Sequence, residues 1–256
     1  MTVASIEPGL LIWPFIAGLL VLATHVPLGR RVLARGVIFL DLAVAQIAVL
    51  GVIAAHAVGW DEQGWQTQLA AVAAALTGAT LLAWFESRWP AIQEAVIGSA
   101  YVVAASLAVL LLANDPHGGE HMSALLTGQI LWVNAAQVMQ TAVLYAVLLA
   151  FWRWRGARLA PLEFYLVFAL AITASVQLIG VYLVFASLIL PALAVRGLPG
   201  HDALWRGVLL GAASYAAGLA ASALFDWPSG PAIVIALAMV SVAAAAGRVA
   251  AGRLQR

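Results

Sequence analysis

Asp115, His117, Glu120 and His121 crowd two imidazoles and two carboxylates into one short stretch of this chain. Imidazole and carboxylate donors together suit zinc or manganese. The His-x-x-x-His spacing would place both rings on one face of a helix, but Gly118-Gly119 between them argues for a flexible joint. A solvated loop is the competing reading. A second pair lies in an apolar stretch. Asp41 is the only acid there, and intramembrane acids are costly and usually functional. Gln46, deeper in the same stretch, could line a pathway or simply bond a neighbouring helix. Asp41 could equally reach water or pair with Arg35. The candidate metal ligands are therefore Asp41, Gln46, His117, Glu120 and His121. His56 reads as an interfacial anchor, and His25 and His201 receive no role.

The elements that must position these groups are membrane helices. Of the 256 residues, 64% are hydrophobic and only 9% charged, against about 25% charged in an ordinary soluble domain. So few charges cannot cover a water-soluble globule. The absence of cysteine excludes disulfides and thiolate sites. The start, MTVASIEPG, lacks the basic region of a cleavable signal peptide, so the first apolar stretch is expected to remain as a span. No basic, aromatic-rich surface points to nucleic acid.

The expected fold is all-α: one polytopic transmembrane helix bundle over 1–256. A span needs about 20 apolar residues. Nine segments qualify, near 10–28, 37–58, 67–85, 93–113, 134–152, 161–177, 180–196, 207–225 and 231–249. The sixth and seventh form one apolar run, split at Gln177–Gly180, with Pro191 expected to kink or break the seventh. Residues 114–133 read as an outer loop followed by a short interfacial or re-entrant helix.

With the N-terminus outside, every basic residue falls on the cytoplasmic side. Arg30, Arg31 and Arg35 follow the first segment and Arg88 the third. Arg153, Arg155 and Arg158 follow the fifth, Arg196 and Arg206 flank the loop after the seventh, and Arg248, Arg253 and Arg256 close the chain. Glu7, Asp61, Glu62, Asp115, Glu120 and Asp226 fall outside, with no arginine among them. This satisfies the positive-inside rule and places the chain in the inner (plasma) membrane with its C-terminus cytoplasmic.

Three stretches resemble the permease subunits of metal-ion ABC transporters. QLIGVYLVFASLILPALAVRG at 177–197 is similar to that family's glycine, hydrophobic run and proline with small residues. LFDWPSGPAIVIALAMV at 224–240 resembles its Asp-x-Pro-Ser-Gly turn before the last span. LLTGQILWV at 125–133 resembles its short Gly-x-Ile-Leu segment. The resemblance covers most of residues 30–250. It implies an importer of zinc, manganese or iron, with the metal ion as cargo and no resident cofactor. It also implies a separate cytoplasmic ABC ATPase, an outer (periplasmic or extracellular) metal-binding protein and a permease homodimer in lipid. The family carries an Asp and a His four apart on its second span, then Pro-Gly. Here, aligned on Gly51, Gln46 stands at the His and Leu50 at the Pro, with Asp41 five residues before Gln46. A π-bulge would absorb the extra residue and swing Gln46 over Asp41, so a bulge is expected between them. The family's acidic docking segment after the fifth span is absent. RWRGARLAP and the loop from Arg196 to Arg206 are the expected docking surface instead. Phe225–Gly230 is expected to form a tight turn with Pro231 as the first helical residue.

The chain has no nucleotide-binding motif, so ATP must act through a partner. Two other classes compete. An intramembrane metalloprotease would need His-Glu-x-x-His, and Glu120–His121 lacks the rest. An ion-coupled carrier would show internal repeats and several buried charges.

Overall fold

The computed structural model describes residues 8–61, 64–113, 115–156 and 159–254. Glu7, Glu62, Arg158 and Arg256, and the side chain of Arg253, lie outside the described residues. Among those described there is no strand, only helix and short connections. The helices are α1 Pro8–Arg35, α2 Leu40–Ala57, α3 Trp65–Arg88, α4 Gln93–Leu112, α5 Gly118–Thr127, α6 Ala135–Arg155, α7 Pro161–Ile179, α8 Val181–Ala194, α9 Gly200–Phe225 and α10 Ser229–Leu254. Eight are long and apolar enough to cross a membrane, and α8 is a shorter apolar helix. The all-α bundle of nine membrane segments, one of them short, thus matches the apolar pattern of the chain.

Several ends differ from expectation. α1 has 28 residues, about 42 Å of helix against a hydrocarbon core of about 30 Å. Its last turns carry Arg30, Arg31 and Arg35 beyond the apolar stretch. α9 begins at Gly200 rather than near 207, so Arg206 lies on a helix and the loop after α8 is short. α8 runs through Pro191 and ends three residues later at Ala194. The missing N–H of Pro191 leaves the Ser187 carbonyl without its intrahelical donor, and the helix ends within one turn. At 14 residues α8 is about 21 Å long, too short to cross alone. The turn before α10 is tighter than expected. Asp226 adopts the left-handed conformation (φ 56°, ψ 38°), Trp227 N–H donates to the Ser222 carbonyl at 3.2 Å, and Ser229–Gly230 are already helical.

The chain forms two compact units, each built from separated segments. The first comprises residues 1–36, 127–142 and 178–256. Within it α8 packs on α1, α9 and α10, and a buried Ser187–Tyr215 hydroxyl bond of 2.8 Å joins α8 to α9. Gly180, the single-residue joint before α8, has φ +80°, and a Cβ there would lie 2.3 Å from the Gly128 nitrogen. Gly128, at φ +72°, faces the Ile179 carbonyl in return. Two backbones meet here at a distance only glycine permits, which gives both glycine-bearing sequence motifs a structural reason.

The second unit comprises residues 37–126 and 143–177. α2 packs between α3 and α4. At Gly51 of α2 an added Cβ would meet the Ala70 carbonyl at 2.8 Å, so α2 and α3 approach closely, as small residues allow in lipid. Tyr145 of α6 donates to the Ala171 carbonyl of α7 at 3.1 Å and bonds the Ser175 hydroxyl. The turn from α6 to α7 is held by Arg155, whose Nε and Nη2 reach the two Glu163 oxygens at 3.2 and 2.5 Å. Glu163 also accepts the Ala160 N–H at 2.9 Å, capping the start of α7.

Candidate metal centre

Asp41 and Gln46 are 1% and 3% exposed. Leu40–Ala57 is α-helical throughout, so the expected π-bulge is absent. On a regular helix five residues turn the side chains about 140° apart. Asp41 and Gln46 therefore share no site on α2. Neither Asp41 oxygen, nor Gln46 Oε1, makes a hydrogen bond to a described residue. The N–H groups of Asp41 and Leu42 lie close to the carboxylate without reaching bond geometry. Asp41 sits in the first turn of α2, where the helix dipole favours a negative charge.

The second group is built where α2, α4 and α5 end or begin. The Gly118-Gly119 pair does not break the helix, as its sequence implied; it opens α5. Glycine is costly inside a helix but cheap at its start, and the preceding Asp115 supplies the cap. Its Oδ1 accepts the His117 N–H at 2.9 Å, and its carbonyl accepts the Gly118 N–H at 3.0 Å. With Oδ1 so held, Oδ2 faces two rings. His121 Nδ1 lies 3.3 Å from it and His56 Nε2 lies 3.7 Å from it. The two rings meet edge to face with centroids 5.1 Å apart. One donor atom from each of His56, Asp115 and His121 lies within 4.8 Å of the others, and all three residues are half-buried.

Of the sequence-derived candidates, the structure brings His121 together with Asp115 and with His56, read as an anchor at a helix end. His117 and Glu120 stand outside this group. They pair with each other at 3.6 Å and are 70% and 84% exposed. Glu120 is one residue from His121, a step of about 100° around α5, and His117 lies before the helix begins at Gly118. Nothing local in the sequence links His56 to the stretch after α4; only the packing of α2 along α4 does. A further buried polar group is one that the sequence reading leaves without a role. His25, inside α1, is fully buried, with Nδ1 2.9 Å from the Thr24 hydroxyl and 3.0 Å from the Val21 carbonyl. A histidine inside an apolar stretch was the available signal.

Chemically, the His56–Asp115–His121 group offers two imidazole nitrogens and one carboxylate oxygen. Asp41 offers a buried acid within a spanning helix. Neither resembles a nucleophile–base pair.

The chain matches the ABC 3 transport family over residues 8–159 and 155–248. Its fold is similar to that of PsaBC from Streptococcus pneumoniae in complex with Fab, with a TM-score of 0.73 and 18% identity over 93% of this chain and 91% of that one. It is also similar to a metal-chelate type ABC transporter in an inward-facing conformation, with a TM-score of 0.64 and 16% identity over 100% of this chain and 92% of the other.

Proposed function

Since the chain belongs to the ABC 3 transport family, we propose that it is the membrane-spanning permease subunit of an ATP-driven importer of divalent metal ions, zinc, manganese or iron. The observation that carries this reading is the family match through both halves of a helical bundle whose sequence holds no nucleotide-binding motif. Energy then comes from a cytoplasmic ABC ATPase, and the ion is delivered by an outer metal-binding protein. Two copies of the chain pair around the pathway. The similar fold described as a metal-chelate type ABC transporter supports a metal cargo.

The arginines support the orientation. They cluster at the ends of α1, α3 and α6, around the α8–α9 connection and towards the end of α10, one side of an alternating bundle. The N-terminus is outside and the C-terminus cytoplasmic. Arg153 on one unit, and Arg196 and Arg206 on the other, are exposed, and each segment contributes to ATPase docking. Arg155 is a poorer docking residue than its sequence position implied, because Glu163 already engages it. Asp41 is assigned to the ion's route because acids within membrane helices are usually functional. It is buried here, so the route reaches it only in another conformation.

The test is reconstitution. The chain, co-expressed with its ATPase and loaded binding protein in proteoliposomes, should take up radioactive zinc or manganese only with ATP. Failure to co-purify any ATPase, or uptake indifferent to ATP, would overturn the reading.

A further inference from the structure

We propose that His56, Asp115 and His121 form a divalent-cation site of the permease itself, selective for borderline ions of the zinc class. His56 ends α2, Asp115 joins α4 to α5, and His121 lies on α5. Bonds of about 2.0–2.1 Å in a tetrahedron set neighbouring donors about 3.3 Å apart. Asp115 Oδ2 stands 3.3 Å from one imidazole nitrogen and 3.7 Å from the other. The two imidazole nitrogens lie within 4.8 Å of each other, so the rings must close towards the carboxylate for all three to meet one ion. Two imidazoles and one carboxylate are the donor set of zinc or ferrous sites, and they discriminate against calcium and magnesium, which take oxygen.

The carboxylate is pre-set for this role. Its other oxygen is fixed by the His117 N–H, the kind of outer hydrogen bond that orients a metal-binding acid. All three side chains are partly accessible, between 22% and 38% exposed. Three protein ligands leave a fourth position open, so an incoming donor can exchange onto the ion. This suits capture and release better than storage. Bound metal also ties the end of α2 to α5. The ligand set stands on this geometry; its facing outward rests on the proposed topology.

The experiment is zinc titration of the full-length, tag-free protein in detergent by calorimetry, with cobalt as a spectroscopic probe. The expected result is one site per chain with tetrahedral cobalt absorption. His56→Gln, Asp115→Asn and His121→Gln should each weaken zinc by at least about 100-fold, more than loss of an outer hydrogen bond costs. The double variant His117→Ala/Glu120→Ala should bind as wild type. Helical circular dichroism of each variant confirms folding. Wild-type affinity in any one of the three single variants would overturn the proposal, as would loss of binding in the double variant alone. Zinc binding without ATP-driven uptake would leave the site standing and remove the transport reading. Uptake without zinc binding would do the reverse.

Discussion

Replacing Asp41 by leucine should make the protein more stable and less active. The carboxyl is 1% exposed and neither oxygen is hydrogen-bonded to a described residue. Burying such a group without a partner costs about 1–3 kcal/mol by mutational data. Its place in the first turn of α2 returns about 0.3–1 kcal/mol through the helix dipole. Leucine removes both effects on the same branched skeleton, with its larger methyl groups offsetting part of the benefit, so the net gain is roughly 1–2 kcal/mol. In a chain of this length each kcal/mol moves the unfolding midpoint by about 2–4 °C. A rise of roughly 2–8 °C is expected, read from tryptophan fluorescence, since ten tryptophans are present and no cysteine exists for a thiol dye. Asp41→Asn keeps the polarity and should gain less. Both variants should lose most ATP-driven uptake. A lower midpoint for Asp41→Leu would refute the reasoning, because it would mean the carboxyl makes a stabilising interaction.

Other outcomes follow from the packing. Gly180→Ala places a Cβ 2.3 Å from the Gly128 nitrogen at φ +80°; the left-handed conformation alone costs about 1–2 kcal/mol, so folded yield in membranes should fall sharply, and a normal yield would contradict the close approach. Tyr215→Phe removes the partner of the buried Ser187 hydroxyl and should cost about 1–3 kcal/mol in unfolding, with much of it recovered in Ser187→Ala/Tyr215→Phe. A double-mutant cycle on Arg155 and Glu163 should give at most about 1 kcal/mol, since both side chains are partly solvated; a larger coupling would give the turn before α7 a bigger structural role. A single cysteine at Asp226 should react with an impermeant reagent from outside intact cells, and reaction only from the cytoplasm would invert the proposed topology.

The number and order of the membrane segments were legible in the sequence because lipid imposes a one-dimensional rule. About 20 apolar residues are needed per crossing, and arginine is costly to move across. Gly180 as a joint and the turn after α9 were legible for a similar reason, since glycine, proline and aspartate act on their own backbone. Helix ends were less so. α1 and α9 continue through polar turns that hydropathy cannot distinguish from loop. The Gly118-Gly119 pair was misread because glycine's cost depends on where in a helix it falls, which the cap at Asp115 decides. The bulge in α2 is expected from an offset of one residue, but the helix is regular and the offset turns the side chain about 140° away. The metal group was half legible. Asp115 and His121 are neighbours along the chain, and their residue types alone marked them. His56 joined them only because α2 packs along α4, and His117 stands apart because it precedes α5, where its N–H is held by Asp115. Which donors converge is set by contacts between helices remote in sequence, and no local pattern encodes those.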